Sequence, residues 1–489
     1  MLKEYPKLYI NGQWLESETG SVESVINPAT EQVVGTVPVA SRADVARAIA
    51  AARTAFDDGP WPQMTMRERS DVLLGFVDAM DKRFDELVEL NVAETGGTRA
   101  MAAGFQIKTP IEHFRDLAER VMLAFPMQRP LAPFVGQGIG QGVIHREPYG
   151  VAALISAYNF PMFLNIMKLA PALAAGCTTV LKPAPTTPLE AFVLGEIADE
   201  AGLPAGVLNI VHGDLEAGLE LTTNPMVDLV SFTGSDAVGR KVFEQAAPTM
   251  KKVVLELGGK SANIICEDAD LNKAAQTVVR GMVTHAGQGC SLLTRTIVHR
   301  SRMAELVDLV TSALESVKVG DPASPETVMG PLGSAVQREK VERLIQIGLD
   351  EGARIAFGGG RPSGLDKGFY VNPTLFVDVD NSMTIAQREF FGPVGVVIPF
   401  DTVDEAVDIA NDSDFGLGGG VWARDPAEAY AIAQRVRTGM VTVNGGGGGL
   451  SPHSSFGGYK QSGLGREWGE AGLDEFLQTK SIVWGVASG

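Results

Sequence analysis

"VAALIS" (151–156) is apolar throughout, and four similar runs follow it: "TTVLK" (178–182), "VLNIV" (207–211), "VDLVSF" (227–232) and "KVVLEL" (252–257). Amphipathic segments separate them. The clearest spans 188–201, with Thr187 as a cap, Pro188 at the first helical position and Gly202 just past the end. Strands without polar alternation that alternate with helices predict a parallel sheet covered on both faces. That is a doubly wound α/β domain, and such domains bind ligands at the C-terminal ends of their strands.

Working outward, the same rhythm continues from about 258 to 450. Expected strands are "ANIIC" (262–266), "RTIVH" (295–299), "ARIAF" (353–357), "GVVIPF" (395–400) and "MVTVN" (440–444), with helices at 301–318, 334–351, 403–412 and 426–437. Towards the N-terminus, 41–57 and 65–92 read as helices, and "LYINGQW" reads as a hairpin turning at Asn11-Gly12. The apolar tail "KSIVWGV" (480–486) and the segment near 126–146 are strands with no obvious partner, a pattern that another subunit often covers. The five-glycine run 445–449 is expected to border a substrate entrance.

Net charge is -18 over 489 residues, which argues against nonspecific binding to nucleic acid or anionic membrane. The most apolar region, 151–181, is interrupted by Asn159, Pro161, Asn165 and Lys168 and makes a poor membrane span. The three cysteines, Cys177, Cys266 and Cys290, have neither disulfide-framework nor metal-ligand spacing. No metal is expected, and a reducing cytoplasm fits best.

Cys177 and Cys266 lie on apolar runs and read as packing residues. Cys290 differs, because "HAGQGCSLLTR" (285–295) sets it after Gly287 and Gly289. Those glycines remove side chains that would shield the sulfur, as a nucleophilic thiol requires. In "LELGGKS" (255–261), Glu256 ends a buried strand and is either a general base with a raised pKa or a carboxylate paired with Lys260. In "SAYNFPMFLNIMKLAPAL" (156–173), Asn159 is either a turn residue or an amide donor to a developing oxyanion. "FTGSDAVG" (232–239) has the strand–turn–helix form that receives a phosphate at a helix N-terminus.

Together, "NFP", "LKPAP", "FTGS", "ELGGKS", "GQGC", "EFFGPV" and "SSFGGYKQSGLGRE", in that order, resemble the NAD(P)-dependent aldehyde dehydrogenase superfamily across essentially the whole chain. Glu256 precedes Cys290 by 34 residues, as in the family pattern. The resemblance implies oxidation of an aldehyde to a carboxylic acid. Cys290 would be the nucleophile, Glu256 the base that activates water, Asn159 and the Cys290 N–H the oxyanion donors, and Lys168 with Glu467 a proton relay. On the cofactor side it implies Lys182 at the adenosine ribose, Ser235 with Gly234 and Gly239 at the pyrophosphate, Glu389 and Phe391 at the nicotinamide, and Ser156, Tyr158 and Leu257 beside them. Phe160, Leu164, Met167, Ser291 and Phe456 would line the aldehyde site.

The implied fold is two doubly wound α/β domains with a small β extension for oligomerisation. Residues 1–125 and 147–257 would bind the dinucleotide, 258–477 would be catalytic, and 126–146 with 478–489 would join copies into a homodimer or homotetramer. NAD is the expected cofactor. NADP remains open, because Pro185 stands where many NAD-preferring members carry a glutamate. Tyr158 stands where the family often has tryptophan. Competing readings are a CoA-acylating dehydrogenase or thiol acyltransferase, which would not need Glu256, a papain-like hydrolase using His285, and a non-catalytic role for the fold.

Overall fold

The computed structural model describes residues 3–136, 139–446 and 451–486. Five parallel strands form the heart of one eight-stranded sheet, in the spatial order Lys252–Glu256, Leu229–Thr233, Val151–Ile155, Thr178–Lys182, Leu208–Ile210. Every residue of the middle three strands is buried, because helices cover both faces. The hairpin Leu8–Ile10/Gln13–Leu15 extends one edge. Asn11 (φ 56°) and Gly12 (φ 67°) make its turn, as the Asn-Gly pair predicts.

The chain runs outward from 151 to 208 and then returns to place 229–233 on the other side of 151–155. This reversal is a topological switch point, and a crevice opens above it at the C-terminal strand ends. A second, seven-stranded sheet carries Ala262–Ile265, Arg295–His299 and Val394–Phe400 at its centre, all parallel. Its strands Thr374–Val377 and Gly419–Trp422 were not anticipated from sequence. The second of these, "GGVW", hides behind two glycines.

Several expectations need correction. The helix expected over 65–92 is two helices, Met66–Lys82 and Phe84–Thr95. The break at Arg83 lets its guanidinium pair with Glu196 and Glu200. Helix Leu189–Glu200 begins after Pro188, and Thr187 does not cap it. The Thr187 hydroxyl donates to the Tyr158 carbonyl instead (3.3 Å), and the buried Glu94 carboxylate accepts from the Leu189 and Glu190 N–H groups (3.0 and 3.3 Å). Residues 99–124, left unassigned from sequence, are helical with two wider π turns.

The two apparently partnerless strands pair with each other. Ile139–Pro148 and Leu477–Val486 run antiparallel over ten residue pairs, Pro148 opposite Leu477 through to Ile139 opposite Val486. Ile482, Val483 and Trp484 remain about half exposed along this ribbon. Of the five-glycine run, Gly445 and Gly446 take left-handed conformations, and 447–449 lie outside the described residues. Among the described residues no helix is long and apolar enough to cross a membrane.

Candidate active site

The crevice at the switch point holds a cavity of about 540 Å³, lined from both sheets. Tyr158, Asn159 and Phe160 follow strand Val151–Ile155; Gly234 and Ser235 follow Leu229–Thr233; Leu257 and Gly258 follow Lys252–Glu256. Cys290 and Ser291 face them from the second sheet's side.

The loop before Cys290 is held in an uncommon backbone. His285, Ala286 and Gly287 are all left-handed (φ 46°, 52° and 74°). A Cβ on Gly287 would lie 2.0 Å from the Gly392 carbonyl oxygen, so only glycine permits this close approach. Cys290 Sγ then donates to Glu256 Oε1 at 3.2 Å. Cys290 is partly buried and lines the cavity. Burial, then the Glu256 charge, push the thiol pKa well above its ordinary value. Burial and the nearby Glu467 likewise raise Glu256 well above the usual carboxylate range. The resting pair is therefore a protonated thiol against a strengthened base. Glu256 is not paired with Lys260, whose ammonium lies 4.8 Å from the Phe390 ring centroid and whose pKa burial lowers to about 7.

Asn159 Nδ2 donates to the Gln288 carbonyl (2.9 Å), tying it to the cysteine loop, and Gln106 Nε2 donates to the Asn159 carbonyl (3.3 Å). Lys168 Nζ bonds Glu467 Oε1 at 2.7 Å and also Ser231 Oγ at 3.0 Å, a third member that no motif marked. His285 is buried, which lowers its pKa to about 4, and it makes no contact with the thiol that would make it a base. Cys177 and Cys266 are buried in the cores, which push their thiols up to about 11 and about 12.

At one end of the cavity, helix Asp236–Ala246 presents its N-terminus, with Ser235 Oγ accepting from the Val238 N–H (3.3 Å). Gly239 lets this helix lie against Leu257, where a Cβ would come within 2.5 Å. Glu389 Oε1 accepts from the Gly259 N–H (2.9 Å), and burial raises Glu389 to about 7. Gly258 makes room for this carboxylate, since a Cβ there would sit 2.5 Å from Glu389 Oε2. Phe391 packs edge-on to Tyr158 (5.9 Å). Lys182 and Ser156 lie behind the wall: Lys182 Nζ donates to the Pro183 carbonyl (3.2 Å) and Ser156 Oγ to Asn165 (2.6 Å). Ala184 lines the cavity beside the exposed Pro185.

The other end is aromatic. Phe105 stacks on Phe163 (4.7 Å) and meets Phe160 edge-on (5.1 Å), while Trp468 stacks on Phe456 (4.8 Å). Leu164 joins this lining, but Met167 does not reach the cavity and packs in the apolar cluster beneath. Met101, Phe105 and Trp468 were missed from sequence, where an isolated aromatic or methionine looks the same as a core residue. Among the described residues, no group of three His, Cys, Asp or Glu side chains is placed to hold a metal.

The fold and site define an α/β protein of dinucleotide-binding topology with a thiol–carboxylate pair at its switch point. The chain belongs to the aldehyde dehydrogenase family, whose model matches residues 14–482. It is 41% identical over 485 residues to a 3-succinoylsemialdehyde-pyridine dehydrogenase of a Pseudomonas species, with 99% of each chain covered. It superposes with a TM-score of 0.94 on a Mycobacterium tuberculosis aldehyde dehydrogenase complexed with NAD+ (46% identity, 99% and 98% covered). It also superposes, at 0.92, on a cysteine-to-alanine mutant of aldehyde dehydrogenase C from Pseudomonas syringae complexed with NAD+ and octanal (41% identity, 98% and 96% covered).

Proposed function

We propose that this chain oxidises an apolar aldehyde to its carboxylic acid with NAD as cofactor, through a thioester on Cys290. The reading rests above all on the 3.2 Å contact between Cys290 Sγ and Glu256 Oε1 at the junction of a polar and an aromatic half-cavity. The polar half fits a dinucleotide. The helix N-terminus at Ser235 suits a pyrophosphate, and Glu389 suits ribose hydroxyls. When bound, NAD supplies the acceptor for the aldehyde's hydride.

Glu256 takes the thiol proton, and Sγ attacks the carbonyl carbon. The resulting oxyanion meets the second amide hydrogen of Asn159 and the Cys290 N–H, a pair of donors in a cavity lined chiefly by apolar groups. Once the carbon is oxidised, Cys290 carries the acyl group. Glu256 first gives up the thiol proton through Lys168, Glu467 and Ser231 and, ionised again, takes a proton from water, whose oxygen displaces the sulfur and frees the acid. The same buried route carries that second proton away. Glu256 opposes the CoA-acylating alternative, since acyl transfer from Cys290 to the CoA thiol would not require a base that activates water.

Two finer readings complete the proposal. Pro185 offers neither acceptor to the ribose nor charge against a 2′-phosphate, so NADP is used alongside NAD. The strand 477–486, with Ile482, Val483 and Trp484 half exposed, joins copies of the chain in a homodimer or homotetramer, in a cytoplasmic setting. NADH formation from a panel of aldehydes tests the activity. Turnover is expected to favour apolar over carboxylate-bearing aldehydes. Absence of NADH with every aldehyde, or acyl-CoA formation on adding CoA, would contradict the reading.

A further inference from the structure

Trp468 stands between two cavities. It lines the one that contains Cys290, and it also lines a small neighbour of about 20 Å³ walled by Leu117, Val121, Ile166, Met167 and Pro452 among others. Among the described residues it alone lines both.

Its backbone is unusual for a side chain of any size: φ 72° and ψ 152°, a region that only glycine enters without strain. The neighbours hold it there. Phe456 and Glu467 exchange both backbone hydrogen bonds (2.8 and 2.7 Å), and the Gly472 N–H donates to the Trp468 carbonyl (2.9 Å). The indole is clamped by Phe456 (stacked, 4.8 Å), Phe163 (edge-on, 5.5 Å) and His113 (edge-on, 5.3 Å). Its Nε1 is buried without a hydrogen-bond partner. A strained backbone and an orphaned donor both cost free energy. What the indole contributes in return is bulk at one place, the partition between the two cavities.

We propose that Trp468 determines specificity by ending the aldehyde site, so that it limits the length of the apolar tail. Its removal joins the two cavities into a longer channel, with Ile166, Met167 and Leu117 as the new wall. This inference rests on the aldehyde oxidation proposed above. The small cavity's lining is chiefly apolar, so the added length favours saturated alkyl tails over polar ones.

The test is kcat/KM for a series of straight-chain saturated aldehydes of increasing length, in wild type, W468G and W468L. In wild type, kcat/KM rises with each methylene until the tail reaches the indole and then falls. In W468G, which also relieves the backbone strain, the optimum moves to longer chains. Each further methylene accommodated is worth about fourfold, so two raise the long-to-short ratio about fifteenfold. W468L keeps the backbone demand but removes the ring, and it gives the same direction of shift if W468G does not fold. An unchanged optimum in the folded variants would overturn the proposal. Absence of turnover in wild type with the whole series would instead count against aldehyde oxidation itself.

Discussion

The two halves of the cavity are built by different rules. The half around Gly234, Ser235, Gly258 and Glu389 depends on backbone: a helix N-terminus, glycines that admit close neighbours, one carboxylate held by a main-chain N–H. The half around Phe105, Phe163, Phe456 and Trp468 depends on side-chain shape, with rings interlocked at 4.7 to 5.5 Å. A backbone-built surface tolerates few substitutions and suits an invariant ligand. A shape-built surface can be recut by single substitutions and suits a variable one. Cys290 lies at the seam, lining the cavity and packing on the aromatic cluster, while the buried Glu256 accepts from its sulfur without lining the cavity itself.

Breaking the seam has the largest effect. Cys290→Ala removes the sulfur and leaves both halves intact, so NADH formation falls by more than about a hundredfold while NAD affinity stays near wild type. Steady-state rates alongside dinucleotide titration read the two together. Loss of NAD binding in step with activity would mean that the cysteine loop belongs to the cofactor half.

A smaller effect sharpens the contrast by pH. Glu389, raised by burial to about 7, must be ionised to act as a full acceptor. Its charge is present above that value and lost as pH falls through it, so NAD affinity weakens on acidification. A charged hydrogen bond is worth about ten- to a hundredfold in affinity, and that is the expected span. Glu389→Gln flattens the profile. Dissociation constants measured on both sides of neutrality check this. A profile that is equally steep in the variant would assign the titration elsewhere.

The same contrast explains what the sequence made legible. The polar half was readable because its chemistry restricts residue type: Cys290 after Gly287 and Gly289, Glu256 at a strand end, Ser235 before a helix. The aromatic half was readable only where it abutted a motif, as Phe160 and Leu164 do beside Asn159. Phe105 comes from a distant helical segment, and Trp468 depends on a backbone conformation that no residue pattern announces. Met167 shows the converse error, since the family resemblance put it in the aldehyde site although it lines the neighbouring small cavity instead. The pairing of 139–148 with 477–486 was hidden for a related reason: strands more than three hundred residues apart carry no local sign of each other.

The claim on which the mechanism depends most is that Glu256 serves the acyl-enzyme as well as the resting thiol. The most direct measurement is intact mass spectrometry of Glu256→Gln, rapidly quenched after mixing with NAD and an apolar aldehyde. The expected result is one NADH per site, formed far more slowly than in wild type because the thiol has lost its base, then no further turnover and an acyl adduct that maps to Cys290. A continuing steady state with no adduct, or an adduct on Cys177 or Cys266, would contradict it.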